Sequence, residues 1–412
     1  MSIETKMAWR NIWRNPRRTI LTVCAVTFAS VLLVFMLSFQ FGSYETMINT
    51  SVKISTGHLQ VQAEKYQEKK SIRFVIPEPR VIADIVEHIP EVEAYTFRGQ
   101  AFALISSEDR TYGVMVTGIE PHKEASVSRL KKLVREGNFL SADDVNQAVL
   151  GKLLAKNLKV TIGDELTLLG QGRDGSIAAT VVQVKGIFSS GIDDFDRAVM
   201  QIPLVTFQDA FSMHGAVHEV VIIARSLSDI SGIKAELETA LSVLKTGKPL
   251  KTLDWQELMP GLRQAIEMDL VSGLIFYGLL IIVVAFSILN TFLMAIFERT
   301  REFGVMMAIG TTPRRLTKVV LIESISMTLV GIIAGILIGM GVTYYFQING
   351  IDFSGGSELL SQFGITGRMY PKLSLLSAVS GPLTVLIITF FTALYPALKV
   401  RRMRPVEAMR AT

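Results

Sequence analysis

Four long stretches of this 412-residue chain contain no Asp, Glu, Lys or Arg, and they constrain the fold more than any other feature. Each exceeds the roughly 20 apolar residues that a helix needs to cross a ~30 Å hydrocarbon core. The first stretch is also too long for the apolar core of a cleaved signal peptide, so we expect it to stay in the mature protein. We therefore predict four transmembrane helices, at residues 19–44, 270–297, 319–351 and 373–398, the third being free of charge from residue 324 onward.

The positions of the basic residues predict the orientation of these helices. Positively charged side chains cluster before the first helix, between the second and third, and after the fourth, whereas the loop 352–372 contains only Arg368 and Lys372. The positive-inside rule then places both termini in the cytoplasm and segment 45–269 outside it. The basic residues that carry this prediction are Lys6, Arg10, Arg14, Arg17, Arg18, Arg299, Arg301, Arg314, Arg315, Lys318, Lys399, Arg401, Arg402, Arg404 and Arg410.

The outer segment is long enough to fold around its own core. Residues 45–268 contain 25 lysines and arginines against 29 aspartates and glutamates, so the overall charge of +5 reflects membrane topology. We therefore exclude nucleic-acid binding, for which a basic stripe with interleaved aromatic residues is typical. The single cysteine, Cys24, lies in the first transmembrane helix, so the outer domain must fold without disulfides.

Hydrophobic periodicity predicts a mixed α/β outer domain, with two lobes that meet near residues 119–125. Helical spacing is typical of 79–88, 130–139, 146–158, 230–244 and 255–269. Strand patterns occur at 51–62, 102–105, 113–117, 165–169, 179–187 and 219–224. The fold class that follows is a membrane α-helical protein with a large mixed α/β extracytoplasmic domain between helices 1 and 2. Its predicted segments are an interfacial helix 1–18 broken at Asn15-Pro16, the domain 45–269, a cytoplasmic loop 298–318, a short outer loop 352–372 and a cytoplasmic tail 399–412.

Two patterns that resemble ligand sites are interpreted structurally. Gly170, Gly172 and Gly175 precede a strand-like segment, so they predict a hairpin turn and not a phosphate-binding loop at a helix N-terminus. His214 and His218 lack a third ligand nearby, so we predict no metal site. The chain also contains no phosphate loop of the G-x-x-x-x-G-K-[ST] type, and we expect no catalytic residues and no ATPase site in it.

The cytoplasmic loop 298–318 has the pattern of a short helix that docks on a partner. An apolar group follows its alternating charges, Gly310 ends one helix, and Thr312-Pro313 starts the next. Exposed apolar side chains in such a helix favour insertion into a groove of another protein over a self-packed loop. The predicted docking residues are Glu298, Arg301, Glu302, Phe303, Val305, Met306, Ile309, Gly310, Arg314 and Arg315.

Three segments of the sequence resemble one family of membrane proteins. The string 302–310 (EFGVMMAIG) with Pro313, the basic entry 14–18 and the terminal segment 395–410 are similar to the signature of FtsX, MacB and LolC/LolE permeases, also called type VII ABC permeases. The segments 150–166 and 186–196 most resemble the lipoprotein-releasing members. LolC-type members carry an extended hook at the hairpin that corresponds to 170–176, which is short here, and this favours a LolE-like role or another cargo.

The resemblance implies partners as well as a fold. It implies a cytoplasmic ABC ATPase dimer that holds ATP and Mg²⁺, with no cofactor in this chain, a second permease copy or paralogue, and a periplasmic lipoprotein or adaptor. It also implies the inner (cytoplasmic) membrane of a bacterium as the location and mechanical work in the periplasm as the output. Apolar residues at the outer ends of the first two helices are then the predicted cargo contacts, namely Phe35, Phe39, Met268 and Phe276.

Gly331, Gly335 and Gly339 form a ladder of small residues in the third helix. Such a ladder lets another helix approach closely, either within one subunit or between two. Three alternatives to lipoprotein release stay open at this point: efflux of peptides or drugs as in MacB-like proteins, an FtsX-like scaffold that activates a cell-wall hydrolase, and a membrane-anchored sensor without an ATPase.

Overall fold

The structure is a computed structural model that describes residues 3–244, 249–352 and 368–401. Within these residues the chain forms two compact units, which we describe separately. The helical unit consists of 3–44, 266–352 and 368–401, and the aqueous domain consists of 45–244 and 249–265.

The helices are given first, in chain order. They are α1 (Ile3–Arg14), α2 (Pro16–Val52), α3 (Tyr66–Lys69), α4 (Pro79–Glu87), α5 (Pro121–Val127), α6 (Leu130–Leu133), α7 (Lys152–Leu158), α8 (Asp193–Ala198), α9 (Leu204–Ala210), α10 (Ile230–Val243), α11 (Trp255–Leu258), α12 (Pro260–Glu298), α13 (Thr300–Ala308), α14 (Pro313–Asn349) and α15 (Leu375–Arg401). A single 3₁₀ turn, Leu227–Asp229, precedes α10 in the described chain.

The strands of the described residues follow in the same order. They are β1 (Leu59–Ala63), β2 (Val92–Ser106), β3 (Thr111–Ile119), β4 (Val134–Gly137), β5 (Gln147–Gly151), β6 (Glu165–Gln171), β7 (Ile177–Phe188), β8 (Val199–Pro203), β9 (Glu219–Ala224), β10 (Leu250–Asp254), β11 (Ile351–Asp352) and β12 (Arg368–Met369).

Four of the helices are long and apolar enough to cross a membrane: α2, α12, α14 and α15. The four predicted spans are thereby confirmed, and the chain is a multi-pass membrane protein. The predicted break at Asn15-Pro16 is also confirmed, because α1 ends at Arg14 and α2 begins at Pro16. One core cluster joins all of these helices and contains Ile12, Val26, Leu33, Ile288, Phe292, Met327, Ile332, Val385 and Ala393.

The aqueous domain is built on one large sheet with ten strands among the described residues, in the order β10-β1-β9-β2-β3-β8-β5-β7-β4 with β6 bonded to both β2 and β7. Because β6 bridges β2 and β7, six strands close into a ring, β2-β3-β8-β5-β7-β6. Alternating side chains of such strands fill the interior, and here Ala103, Ile105, Val114, Leu168 and Val182 are buried. The domain is therefore a small filled barrel, extended by β9, β1 and β10 beside β2 and by β4 beside β7.

The aqueous domain has two main cores, but the predicted boundary near 119–125 does not separate them. One core fills the barrel, and the other lies between the sheet extension and the helices α4 and α10. Strand β2 belongs to both, since it pairs with β9 through residues 92–98 and with β3 and β6 further along. The chain therefore returns to the extension after completing the barrel, which a division in chain order does not describe.

Most predicted elements of the aqueous domain are confirmed, and three are wrong in part. The strand predicted at 51–62 begins only at Leu59, because helix α2 runs through Val52. The helix predicted at 130–139 is a single turn, α6, followed by strand β4. The helix predicted at 146–158 starts at Lys152, after strand β5, whose residues Ala148 to Leu150 are fully buried. Short buried strands lack the alternation that distinguishes strands from helices.

The two patterns that resembled ligand sites have structural roles: the glycines form a turn, and the histidines contact other residues of the domain. Gly172 and Gly175 lie in the five-residue turn of the β6–β7 hairpin, where Gly175 has φ +91°, so the predicted hairpin is confirmed. His214 is exposed and lies 3.3 Å from Asp209. His218 is fully buried. Its Nδ1 atom accepts a hydrogen bond from the backbone N–H of Gln100 (2.9 Å), and its Nε2 atom donates one to the backbone carbonyl of Ile72 (3.1 Å).

Candidate functional site

Helix α13 is a short separate helix between two membrane-spanning helices, as predicted. Arg299 has non-helical angles and separates it from α12. At its other end Gly310 has φ +102°, a conformation that favours glycine, and Thr312-Pro313 starts α14. The Thr312 side chain makes no capping hydrogen bond. The start of this helix is therefore favoured by Pro313, whose fixed φ suits the first helical position.

The apolar residues of α13 divide between two faces. Phe303 was predicted to be exposed, and this is wrong: it is 2% exposed and packs with Met307, Leu316, Val320 and Ala397. Met306 is half-buried against the same cluster. The reason is the helical period, which turns 303 and 307 toward α14 and α15 and leaves 305 and 309 on the outside.

The outer face of this segment combines apolar and basic groups. Val305 is 44% exposed and Ile309 is 82% exposed. Gly310 and the predicted docking residues Glu298, Arg301, Arg314 and Arg315 are exposed as well. A salt bridge of 3.9 Å joins Arg315 to Glu4 of helix α1. The structure thus presents two apolar side chains among arginines, held in place by an anchored inner face.

A row of alternating charges lies behind this face, and sequence reasoning missed most of it. The Arg299 Nη1 atom lies 3.1 and 3.4 Å from the two carboxylate oxygens of Glu323, and both side chains are buried. Arg299 Nε also bonds Glu302 at 3.3 Å, and Glu302 accepts a hydrogen bond from Arg14 of α1. Four charged side chains therefore form one chain of ion pairs, in the order Arg14, Glu302, Arg299 and Glu323.

The two ends of this row differ in strength. Arg14 is 51% exposed and Glu302 43% exposed at the side chain, so solvent limits their pair to roughly 0–1 kcal/mol. The hydrogen bond from Arg14 still lowers the pKa of Glu302 below its ordinary value. Removing Glu323 from the buried pair would leave Arg299 with only the partly exposed Glu302 as a partner, at a cost of about 1.5–3 kcal/mol.

Glu323 is a buried charge to which the sequence pattern assigned no role. It lies within the predicted span 319–351, ten residues into α14, and is 5% exposed. An intramembrane carboxylate faces the protein interior and needs a partner, which Arg299 provides. The sequence did contain a signal for this pair, because both charges lie at the predicted cytoplasmic edge of a span. Glu323 directly precedes the uncharged stretch 324–351, and Arg299 closely follows the stretch 270–297.

The glycine ladder of α14 lies against α2 of the same chain. A Cβ atom added at Gly331 would lie 2.8 Å from Val26 Cβ, and one added at Gly335 would lie 2.4 Å from Ser30 Cβ. At Gly339 the corresponding distance to Val34 Cβ is 3.1 Å. The ladder therefore places two membrane-spanning helices in close contact within one subunit.

The four predicted cargo residues lie on α2 and α12. The rings of Phe35 and Phe39 stack at 6.3 Å, and Phe35 also contacts Phe346 edge-on at 5.7 Å. Met268 and Phe276 are 64% and 57% exposed. Their role as cargo contacts stays a prediction.

A polar network near these residues was not predicted. The Tyr44 hydroxyl donates to Asp269 (2.5 Å), Gln40 Nε2 donates to the Tyr44 hydroxyl oxygen (2.8 Å), and Tyr277 donates to Gln40 (2.9 Å). Gly273 lets Gln40 approach α12, because a Cβ there would lie 2.6 Å from Gln40 Nε2. The signal for it was Gln40, the only amide side chain in the uncharged stretch 19–44.

Comparison with known protein families agrees with this architecture. The family model described as MacB-like periplasmic core domain matches residues 19–240, and the one described as FtsX-like permease C-terminal matches residues 274–405. They match the first membrane helix with most of the aqueous domain and then most of the remaining helical unit, in the order in which the structure contains them. The chain belongs to the FtsX/MacB/LolC–LolE family of ABC transporter permeases.

Several curated relatives carry names from this permease family. The lipoprotein-releasing system transmembrane protein LolC of Xylella fastidiosa (strain 9a5c) is 24% identical over 75% of this chain and 75% of its own length. The corresponding protein LolE of Haemophilus influenzae is 23% identical over 74% of each chain. The pyoverdine export ATP-binding/permease protein PvdT of Pseudomonas syringae pv. tomato is 25% identical over 98% of this chain and 58% of its own length.

The terminal part of the family resemblance, residues 404–410, and the basic residues Arg402, Arg404 and Arg410 lie outside the described residues. Most of the predicted loop 352–372 lies outside them too. The described part of that loop pairs Ile351 with Met369 and Asp352 with Arg368.

Proposed function

We propose that this permease couples ATP hydrolysis on a separate cytoplasmic ABC ATPase dimer to mechanical work outside the membrane, and that its cargo is lipoprotein. The observation that carries the first half is the outer face of α13, where Val305 and Ile309 are exposed among arginines. The second half is supported by the LolC and LolE relatives, which match about three quarters of this chain and of themselves.

The docking surface has the features of a helix that inserts into a groove. Its apolar tip, Val305 and Ile309, would be buried by a partner, while Arg301, Arg314 and Arg315 would meet acidic groups at the rim. The inner face, built from Phe303 and Met307, fixes the helix on the membrane unit before any partner binds. ATP and Mg²⁺ are held by the partner in this proposal, and the permease has no ATPase site of its own.

The orientation and the second permease are part of the same proposal. With the docking face in the cytoplasm, both termini lie there and the aqueous domain lies in the periplasm, an orientation that the distribution of basic residues supports. Helix α12 is the membrane helix least covered by its own chain, with 17% of its most apolar stretch buried against 33% in each of α2, α14 and α15. Its exposed apolar face is available to lipid, to an acyl chain or to a second permease.

Replacing Ile309 by Asp tests the docking surface directly. Because Ile309 is 82% exposed, the substitution leaves the helical unit folded but places a charge where the partner would bury an apolar group. We expect a loss of at least about tenfold in the amount of ABC ATPase that co-purifies from native membranes in mild detergent, measured by quantitative mass spectrometry. Met306→Asp is a less specific test, since Met306 also packs against the inner cluster.

Val243→Asp is the matched control, because Val243 is 79% exposed but lies at the end of α10 in the aqueous domain. It should co-purify the ATPase as well as the unmodified protein does. Normal ATPase recovery with Ile309→Asp would contradict docking through α13. In the unmodified protein, acylated lipoproteins in the same sample would support the cargo assignment.

One observation favours a second candidate cargo. The PvdT relative, whose name describes pyoverdine export, matches 98% of this chain, a longer stretch than the LolC and LolE proteins match. If the cargo is a small molecule, we expect a periplasmic adaptor, and no lipoprotein, among the co-purified proteins.

A further inference from the structure

The row Arg14–Glu302–Arg299–Glu323 connects three helices of the membrane unit. Arg14 belongs to α1, Arg299 lies at the break between α12 and α13, Glu302 belongs to α13, and Glu323 belongs to α14. The signs of the charges alternate along the row. Each charged group is therefore stabilised by its neighbours. Moving one group away leaves the charge of the next group without part of its compensation.

The covalent links around α13 are flexible by comparison. At one end a single non-helical residue, Arg299, separates it from α12, and at the other the loop 309–312 contains Gly310 at φ +102°. A force applied to the exposed tip at Ile309 would bend these links unless another contact resists. The buried contact between Arg299 and Glu323 crosses from the base of α13 to α14, and the Phe303 ring lies 5.3 Å from the Arg299 guanidinium on the same side.

We propose that Arg299 and Glu323 are positioning residues that make α13 and α14 move as one body, so that ATP-driven motion of the docked ATPase reaches the outer part of α14. This inference rests on the proposed docking of the ATPase at α13. The pair suits the task because it is buried and charged, which makes separating it costly, whereas the apolar contacts around Phe303 can slide. Glu302 and Arg14 extend the link to α1 at the surface.

The test measures transmitted motion and ATPase binding in the same sample. Spin labels are placed at two exposed sites, Tyr344→Cys near the outer end of α14 and Val243→Cys in the aqueous domain, in a Cys24→Ser background. Electron–electron resonance distances are recorded for the complex with its ATPase in lipid nanodiscs, without nucleotide and after trapping with ATP and vanadate. The variants are Glu323→Gln and the charge-swapped Arg299→Glu/Glu323→Arg, the latter combined with Glu302→Gln so that position 299 does not face a second carboxylate.

We expect Glu323→Gln to bind the ATPase normally while the population that shifts its distance on trapping falls about tenfold. The charge-swapped protein should recover most of the shift, a result that a role in folding alone would not produce. Thr328→Val is the matched control on the same helix: Thr328 is also fully buried, but its hydroxyl donates only to the Ser324 carbonyl one turn away (2.9 Å), so the shift should be unchanged.

A full shift in Glu323→Gln with the ATPase bound would overturn the inference, and so would an unmodified complex that shows no shift on trapping. If Glu323→Gln does not reach the membrane, the charge-swapped variant decides by itself: a bound, responding complex supports the inference and a bound, unresponsive one overturns it. An unmodified permease that binds no ATPase would instead contradict the proposed function.

Discussion

The aqueous domain and the helical unit each contain a buried arginine–glutamate pair, and the two pairs are built differently. In the domain, Arg98 makes two parallel bonds to Glu124, at 3.0 and 2.6 Å, and a third to the Ser55 carbonyl. In the helical unit, Arg299 uses one nitrogen for Glu323 and turns another toward Glu302, which is partly exposed.

We call the first pair a brace, because it holds two elements in one arrangement, and the second a connection, because it links elements that can move. The Arg98–Glu124 pair joins α5 to β2 and is shielded from solvent, with side chains 4% and 0% exposed. Burial and the bidentate geometry fix one arrangement. The Arg299–Glu323 pair continues through Glu302 to the surface, so its geometry depends on what binds there. We infer that the aqueous domain is held rigidly by its pair, whereas the helical unit uses its pair between parts that move.

The largest expected effect is on the rigid pair. Glu124→Gln removes both carboxylate bonds of the buried Arg98 and leaves only the longer-range attraction of Glu219 to compensate its charge, so we expect a loss of about 3–5 kcal/mol in the free energy of unfolding. Glu323→Gln should cost less, about 1.5–3 kcal/mol, because Arg299 keeps Glu302. Thermal unfolding of both full-length variants in detergent measures the ranking. Equal losses, or a greater loss at Glu323, would contradict the distinction between brace and connection.

The helical unit depends on close backbone contact where the domain depends on a filled barrel. An alanine at Gly335 would place its Cβ 2.4 Å from Ser30 Cβ, so we expect Gly335→Ala to destabilise by about 2–3 kcal/mol. Gly341→Ala on the same helix is the control, because no atom lies within 4 Å of the added Cβ there. It should be neutral or stabilise by up to about 1 kcal/mol. Similar midpoints of thermal unfolding for the two variants would refute the packing role.

A pH effect should appear in the aqueous domain and involves His218. Burial lowers the pKa of His218 to about 4, compared with about 6.5 in an unfolded chain. The unfolded state therefore binds the proton first, and stability is complete above pH 6.5 and falls as the pH drops toward 4. At pH 5 the loss is about 2 kcal/mol.

His218→Gln should remove this part of the pH dependence, at the cost of lower stability at pH 7.5, and His122→Gln, at an exposed position, should leave it unchanged. Unfolding midpoints of the full-length protein between pH 5 and 7.5 provide the measurement. His58 is buried too, with its pKa also lowered to about 4, so some pH dependence should persist in His218→Gln.

The sequence predicted the membrane spans and the helix ends because both depend on local properties. Lack of charge over more than 20 residues identified α2, α12, α14 and α15, and Gly310 and Pro313 marked the ends of helices on either side of a loop. The closure of the barrel was not predictable in this way. It depends on β6 pairing with β2, whose residues lie some 60 positions earlier, and periodicity carries no information about such partners.

The candidate site shows the same limit. Helix α13 was predicted from its pattern, but Phe303 was placed on the wrong face. The apolar groups at 303, 305, 306 and 307 of this nine-residue helix, with 309 just after it, form no single apolar stripe. Glu323 was passed over as the edge of a span. Its significance became evident only when the structure placed Arg299, 24 residues earlier in the chain, within 3.1 Å of it.

The smallest expected effect tests the exposed end of the charge row. Arg14→Ala should reduce the free energy of unfolding by less than about 1 kcal/mol, and the coupling to Glu302→Gln in a double-mutant cycle should disappear at high salt. The reason is that both side chains are about half exposed, although Arg14 does lower the pKa of Glu302. A salt-independent coupling above about 2 kcal/mol would show that the row is braced along its whole length. The helical unit would then resemble the aqueous domain, and the contrast between a rigid pair and a moving one would have to be given up.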